Sequence, residues 1–159
     1  MLILGVDPGT AIIGFGLIES KKERLKVLEY GYIATPKNWD VGKRLDYLYQ
    51  ELSNLIEKYI PDVVVMEKLF FYKNLKTAIN VAQAQGIILL SSYQHNIKTY
   101  AFTPLEVKQI IVGYGRATKE QVQIMVMELL KLPEMPKPDD VADALALSIC
   151  YSLLYGDQN

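Results

Sequence analysis

A chain of 159 residues, half of them apolar and 22% charged, has the composition of a globular protein and the length of one domain, residues 1–159, with a proper core. Its formal net charge of −1 does not mark the whole surface as a nucleic-acid binder, so any such binding needs basic residues grouped on one face. No apolar stretch is long enough for a bilayer and no basic region precedes the first apolar run, while a lone Cys150 and a lone His95 leave no internal disulfide and argue against a zinc site of several imidazoles; the expected compartment is a reducing cytoplasm, away from any membrane.

The first predicted element is a buried strand at residues 2–6 (LILGV), stopped by Asp7 and turned by Pro8-Gly9-Thr10. Residues 14–19 and 25–34 alternate well enough for two more strands, joined by the charged turn Lys21-Lys22-Glu23-Arg24. Residues 40–59 carry Leu45, Leu48, Leu52, Leu55 and Tyr59 at helical spacing. Pro61-Asp62 ends that helix, and residues 63–66 form another buried strand, again closed by an acid, Glu67. A long helix with small residues (Ala78, Ala82, Ala84, Gly86) is expected over 75–93, and a fifth strand over 98–102. Thr103 with Pro104 opens a helix to residue 112. The loop Gly113-Tyr114-Gly115-Arg116 follows, and Thr118-x-x-Gln121 is a capping box for a helix to about residue 131. Prolines 133, 136 and 138 break the chain before a last helix over about 138–154. Three strands followed by alternating helices and strands predict an α/β fold with a five-stranded mixed sheet flanked by helices.

The acids carry the chemistry. An ionised carboxylate at the rim of an apolar core is costly unless something pairs with it. Asp7 and Glu67 both end buried strands, and the last helix opens Pro138-Asp139-Asp140-Val141-Ala142-Asp143. Asp140 and Asp143 share a helix face, and Asp139 and Asp143 share one nearly as well, so spacing alone leaves Asp139 and Asp140 as alternatives. If the first and fourth strands are neighbours, at least four acids meet. Like charges this close raise each other's pKa, and an oxygen-only acidic site relieves the conflict by taking Mg²⁺ or Mn²⁺. Two such ions suit phosphodiester hydrolysis. Turn chemistry explains a lone Asp after a strand, and the helix dipole explains acids in a first turn. Neither explains Glu67, which sits between Val-Val-Val-Met and Leu69-Phe70-Phe71-Tyr72.

The stretches Val6-Asp7-Pro8-Gly9-Thr10, Met66-Glu67-Lys68-Leu69-Phe70, Leu105-Glu106-Val107-Lys108-Gln109 and Asp140-Val141-Ala142-Asp143-Ala144-Leu145-Ala146 together make the chain resemble the RuvC family of bacterial Holliday junction resolvases over nearly its whole length. The resemblance implies an RNase H-like fold and a homodimer that makes two symmetric, Mg²⁺-dependent nicks in a four-way DNA junction during recombination and repair. It implies Asp7, Glu67, Asp140 and Asp143 as the metal-binding catalytic acids, choosing Asp140 over Asp139. It implies Lys108 and Lys119 as basic residues near the scissile phosphate, Phe70 as a ring stacking on a base near the junction centre, and work alongside the RuvA–RuvB branch-migration complex. Asp139 is an extra acid beside the site, as a ligand to a water shell or a helix cap, and Phe71 and Tyr72 enlarge the aromatic stretch.

Among the remaining residues, the glycine loop makes Arg116 a candidate phosphate contact. Lys73 and Lys76 are expected to face the same DNA, and Lys43 and Arg44 to be a solvated helix face. His95 reads as a surface residue and Cys150 as core. The small-residue helix is the candidate for pairing with a second copy. Two other functions fit parts of the pattern. Asp7-x-Gly9-Thr10 with Gly14 and Gly16 also resembles the phosphate loop of actin-like and sugar-kinase nucleotide binders, which need a second domain. The same acids would serve a nuclease acting on RNA or on other branched DNA.

Overall fold

The computed structural model of the chain describes residues 1–22, 24–68 and 75–156. Among these residues the elements run β1 (Leu2–Asp7), β2 (Ile12–Lys21), β3 (Arg24–Ala34), α1 (Val41–Tyr59), β4 (Val63–Glu67), α2 (Leu75–Gln94), β5 (Lys98–Phe102), α3 (Pro104–Val112), α4 (Lys119–Leu130) and α5 (Asp139–Tyr155). The sheet has the order β3-β2-β1-β4-β5. Antiparallel pairing joins β1, β2 and β3, and parallel pairing joins β1, β4 and β5, so the sheet is mixed as the element order requires. No helix of the described residues is long and apolar enough to cross a membrane.

β1 and β4 are interior strands covered on both faces, which is why each reads as an unbroken apolar run rather than an alternation. Successive side chains divide into two cores. Ile3, Ile18, Val63 and Val65 meet Val141, Leu145 and Ile149 of α5, together with residues of α3 and α4. Leu4, Val6, Val64 and Met66 meet Leu48, Leu52 and Ile56 of α1 and Ile88 of α2 on the other side. The sheet is thus sandwiched between two helical layers.

Local signals fix the helix ends. Asp40 caps α1 by accepting from the Lys43 amide at 3.0 Å. Thr103 and Glu106 form a reciprocal capping box on α3, and Thr118 and Gln121 form another on α4. His95 departs from expectation. It is half-buried between α1 and α2, with Nδ1 2.7 Å from the Ser91 carbonyl and Nε2 3.1 Å from Glu57. Lys43 likewise stacks over Trp39, and Arg44 donates to the Lys37 carbonyl, so neither is a merely solvated charge.

Candidate active site

The parallel register pairs Val6 with Met66, so Asp7 and Glu67 leave adjacent strand ends side by side, at a spacing of about 4.8 Å between strands. On its other side Asp7 pairs with Gly14 of β2. Gly14 admits the third element of the site. A Cβ there would stand 2.1 Å from the Asp140 carbonyl oxygen, so only glycine lets the first turn of α5 rest on the sheet beside Asp7. The rest of α5 follows the same track. A Cβ on Gly5 would meet the Ala144 carbonyl at 2.0 Å, and the buried Ser148 hydroxyl donates to the Gly16 carbonyl at 2.8 Å. The glycines of β2 therefore serve helix packing, not a phosphate loop.

The acids and Lys119 perturb one another. Asp7 is pushed up to about 8, first by burial and then by Asp143, Glu67 and Asp140, with Lys119 opposing. Burial also raises Asp143, against the pull of Lys119. The Lys119 ammonium lies 2.8 Å from Asp143 and 3.5 Å from Asp139. Burial alone would lower the Lys119 pKa; those carboxylates raise it instead. Asp139 is the first residue of α5, whose N-cap is Pro138, so it is not the capping residue; its half-exposed carboxylate faces the Lys119 ammonium.

Glu67, Lys108, Lys119 and Asp143 line one cavity of about 260 Å³, floored by Val107, Val122, Ala146 and Leu147. Lys108 is half-buried there, and Lys119 has its foot on the first turn of α4. Arg116 is exposed in the α3–α4 turn, outside this lining. That turn is tied down by the Tyr114 hydroxyl donating to Gln121 at 2.9 Å. Phe70, with Phe71, Tyr72 and Lys73, lies outside the described residues, as does the Lys76 side chain.

The donor set consists of carboxylate oxygens, and the conflict among them is the kind a hard divalent cation relieves. Among the described residues no three Asp, Glu, His or Cys side chains are gathered in a ready ligating arrangement. Lys119 supplies a positive charge beside Asp143 and Asp139. In donor chemistry the carboxylates suit a hard divalent cation such as Mg²⁺ or Mn²⁺. Sequence reading missed the Lys119–Asp143 pair, because residues 24 apart on separate helices leave no local signal. It noted Gly14 and Gly16 without seeing the helix they admit.

Comparison with known proteins places this arrangement. The family described as crossover junction endodeoxyribonuclease RuvC matches residues 3–151. A crossover junction endodeoxyribonuclease RuvC from Dictyoglomus thermophilum is 56% identical over 151 residues, covering 95% of this chain and 96% of the relative. The structure of Thermus thermophilus RuvC in complex with Holliday junction substrate superposes with a TM-score of 0.91 at 29% identity, covering 97% of this chain and 94% of that one. The yeast mitochondrial Holliday junction resolvase Ydc2 shares the fold, with a TM-score of 0.65 at 15% identity over 95% of this chain and 78% of that one. The fold is RNase H-like.

Proposed function

Because this chain belongs to the RuvC family of crossover junction endodeoxyribonucleases, we propose that it resolves four-way DNA junctions by paired, symmetric, Mg²⁺-dependent nicks, with Asp7, Glu67, Asp140 and Asp143 as the metal-binding acids. The observation that carries this reading is the convergence on Asp7, at the end of β1, of Glu67 at the end of the neighbouring β4 and of the first turn of α5 with Asp140 and Asp143, whose negative charges push the Asp7 carboxyl up. Bound cations activate a water and offset charge on the leaving oxygen. The chain's own residues do the rest. Half-buried at the end of β1 beside the first turn of α5, the Asp7 carboxylate is partly withdrawn from bulk water. Lys119 holds Asp143 in place and offers a phosphate oxygen a positive partner at the centre. Lys108 offers a second from the cavity wall. Arg116, exposed at the neighbouring turn, suits a phosphate farther along, and Phe70 follows Glu67 closely enough in sequence to reach unpaired bases.

Pairing of two nicks calls for two sites related by symmetry. α2 supports this. Leu75, Ile79, Leu89, Leu90 and Tyr93 are all exposed along one side of it, with the small Ala82 and Gly86 between them. We take this stripe as the seat of a homodimer and the RuvA–RuvB complex as the partner machine. The buried free thiol of Cys150 suits a cytoplasmic setting.

The test is cleavage of a synthetic four-way junction with a movable centre, in Mg²⁺, in Mn²⁺ and in chelator, beside linear duplex and an RNA–DNA hybrid. Paired nicks that need metal and spare the duplex are expected. Binding without nicking under every metal, or preference for the hybrid, would overturn the reading.

A further inference from the structure

β3 is an edge strand, paired with β2 alone. Its register shifts between Leu17 and Ile18: Ile18 faces Val27 and Leu17 faces Glu29, leaving Leu28 as the extra residue of a bulge. Beyond the bulge Tyr30 lies across from Gly16 and Tyr32 across from Gly14. Paired residues share a face of the sheet. Gly14 and Gly16 face α5, because a Cβ on them would strike Asp140 and Leu145 respectively. Tyr30 and Tyr32 therefore project on the same side as the acids. Without the bulge this half of β3 would be turned over, and both rings would face α1.

Asp7, Gly14 and Tyr32 form a single row across β1, β2 and β3. Two strand spacings of ~4.8 Å put the Tyr32 Cα about 10 Å from that of Asp7. Earlier on this face Leu25 and Val27 pack into the α5-side core. Coverage ends there, and Tyr30 and Tyr32 are 40% and 52% exposed. An aromatic ring with a polar tip, standing in water at the border of an acidic phosphodiester site, matches a sugar–phosphate chain: the ring packs on deoxyribose and the hydroxyl donates to a phosphate oxygen. Successive phosphates of one strand lie about 6–7 Å apart, roughly twice the axial rise, so about 10 Å is one or two nucleotides.

We infer that Tyr32, with Tyr30 beside it, is a positioning residue that holds the scissile strand by its backbone a nucleotide or two from the acids. This rests on the junction-nuclease reading above. The contact is uncharged, so it differs from a lysine contact in a measurable way. A lysine–phosphate contact releases a counterion and contributes to the dependence of affinity on salt; a phenol does not.

The experiment measures the affinity of the full chain for a labelled four-way junction in chelator across a salt series, followed by KM and kcat in Mg²⁺. The proteins are wild type, Tyr32→Phe, Tyr32→Ala and Lys108→Ala. Tyr32→Phe, which keeps the ring and cannot disturb packing by truncation, is expected to weaken binding about tenfold. Tyr32→Ala weakens it further. Both keep the wild-type salt slope while Lys108→Ala flattens it, and both raise KM by more than they lower kcat. Wild-type affinity in both tyrosine variants overturns the inference and leaves the nuclease reading standing. Failure of the wild type to bind a junction overturns both.

Discussion

Asp7 concentrates the chemistry of the site in one side chain. Its carboxyl is pushed up to about 8 by burial and by three neighbouring acids, so the folded chain keeps a proton there that the unfolded chain has released. The sign follows: the folded state binds more protons than the unfolded state between about pH 4 and 8, and stability falls as pH rises through that window. In chelator the melting temperature should drop by roughly 10 °C between pH 5 and pH 9 on this account. Asp7→Asn, which carries no titrating group, should remove that part of the drop and exceed wild type at pH 9; scanning calorimetry of the pair checks it. In Mg²⁺ the same variant should lose cleavage by about 10²–10³-fold or more, the scale of deleting a preorganised charge-stabilising group. Its junction affinity, measured by gel shift, should stay near wild type, because Asp7 is assigned to metal and not to DNA.

At the scale of elements, the site depends on how closely α5 lies against the sheet. Gly14 is the contact that sets it, since any Cβ there overlaps the Asp140 backbone. Gly14→Ala should cost about 1–3 kcal/mol by overpacking. It should also lift the first turn of α5, moving Asp140 and Asp143 from Asp7. Cleavage at a temperature where the variant is fully folded should then fall well beyond what its stability loss explains. Equal activity in wild type and variant would show that the helix end tolerates displacement. The α4 cap acts differently. Thr118 anchors the turn that carries Lys119, and its loss should cost about 1 kcal/mol without moving the acids. A thermal melt of Thr118→Ala beside a cleavage assay separates the two effects.

At the scale of the whole molecule, the sheet divides the labour. The carboxyl ends of β1 and β4, the start of α5 and the start of α4 converge at one edge of the fold, while the exposed apolar stripe of α2 belongs to the opposite helical layer. Under the proposed homodimer, two copies joined along that stripe would leave both acidic centres open to DNA. Ile79, 58% exposed one turn into the stripe, is the place to test this. Ile79→Glu should shift sedimentation from dimer to monomer. It should also convert paired nicks into single uncoupled ones, while the site of each chain stays intact. Weak net charge is no obstacle to DNA binding at this scale, because Lys108 and Lys119 stand at the site itself and contribute locally.

Much of this was legible in the chain itself. Continuous apolar runs marked β1 and β4, two of the three interior strands, since a strand covered on both faces has no reason to alternate. Side-chain caps marked the starts of α3 and α4 to the residue, because an N-cap is a contact between neighbours three apart. The acids were marked by their cost: carboxylates ending core strands demand a partner. Tertiary structure alone decided how they meet. The Lys119–Asp143 pair, the pressure of Gly14 on Asp140, the role of Asp139 and the row from Asp7 to Tyr32 all join residues distant in the chain. Local sequence records propensity and burial, which act over a turn or a pleat. Register and helix approach are set by the packing of the whole core, and only the folded chain expresses them.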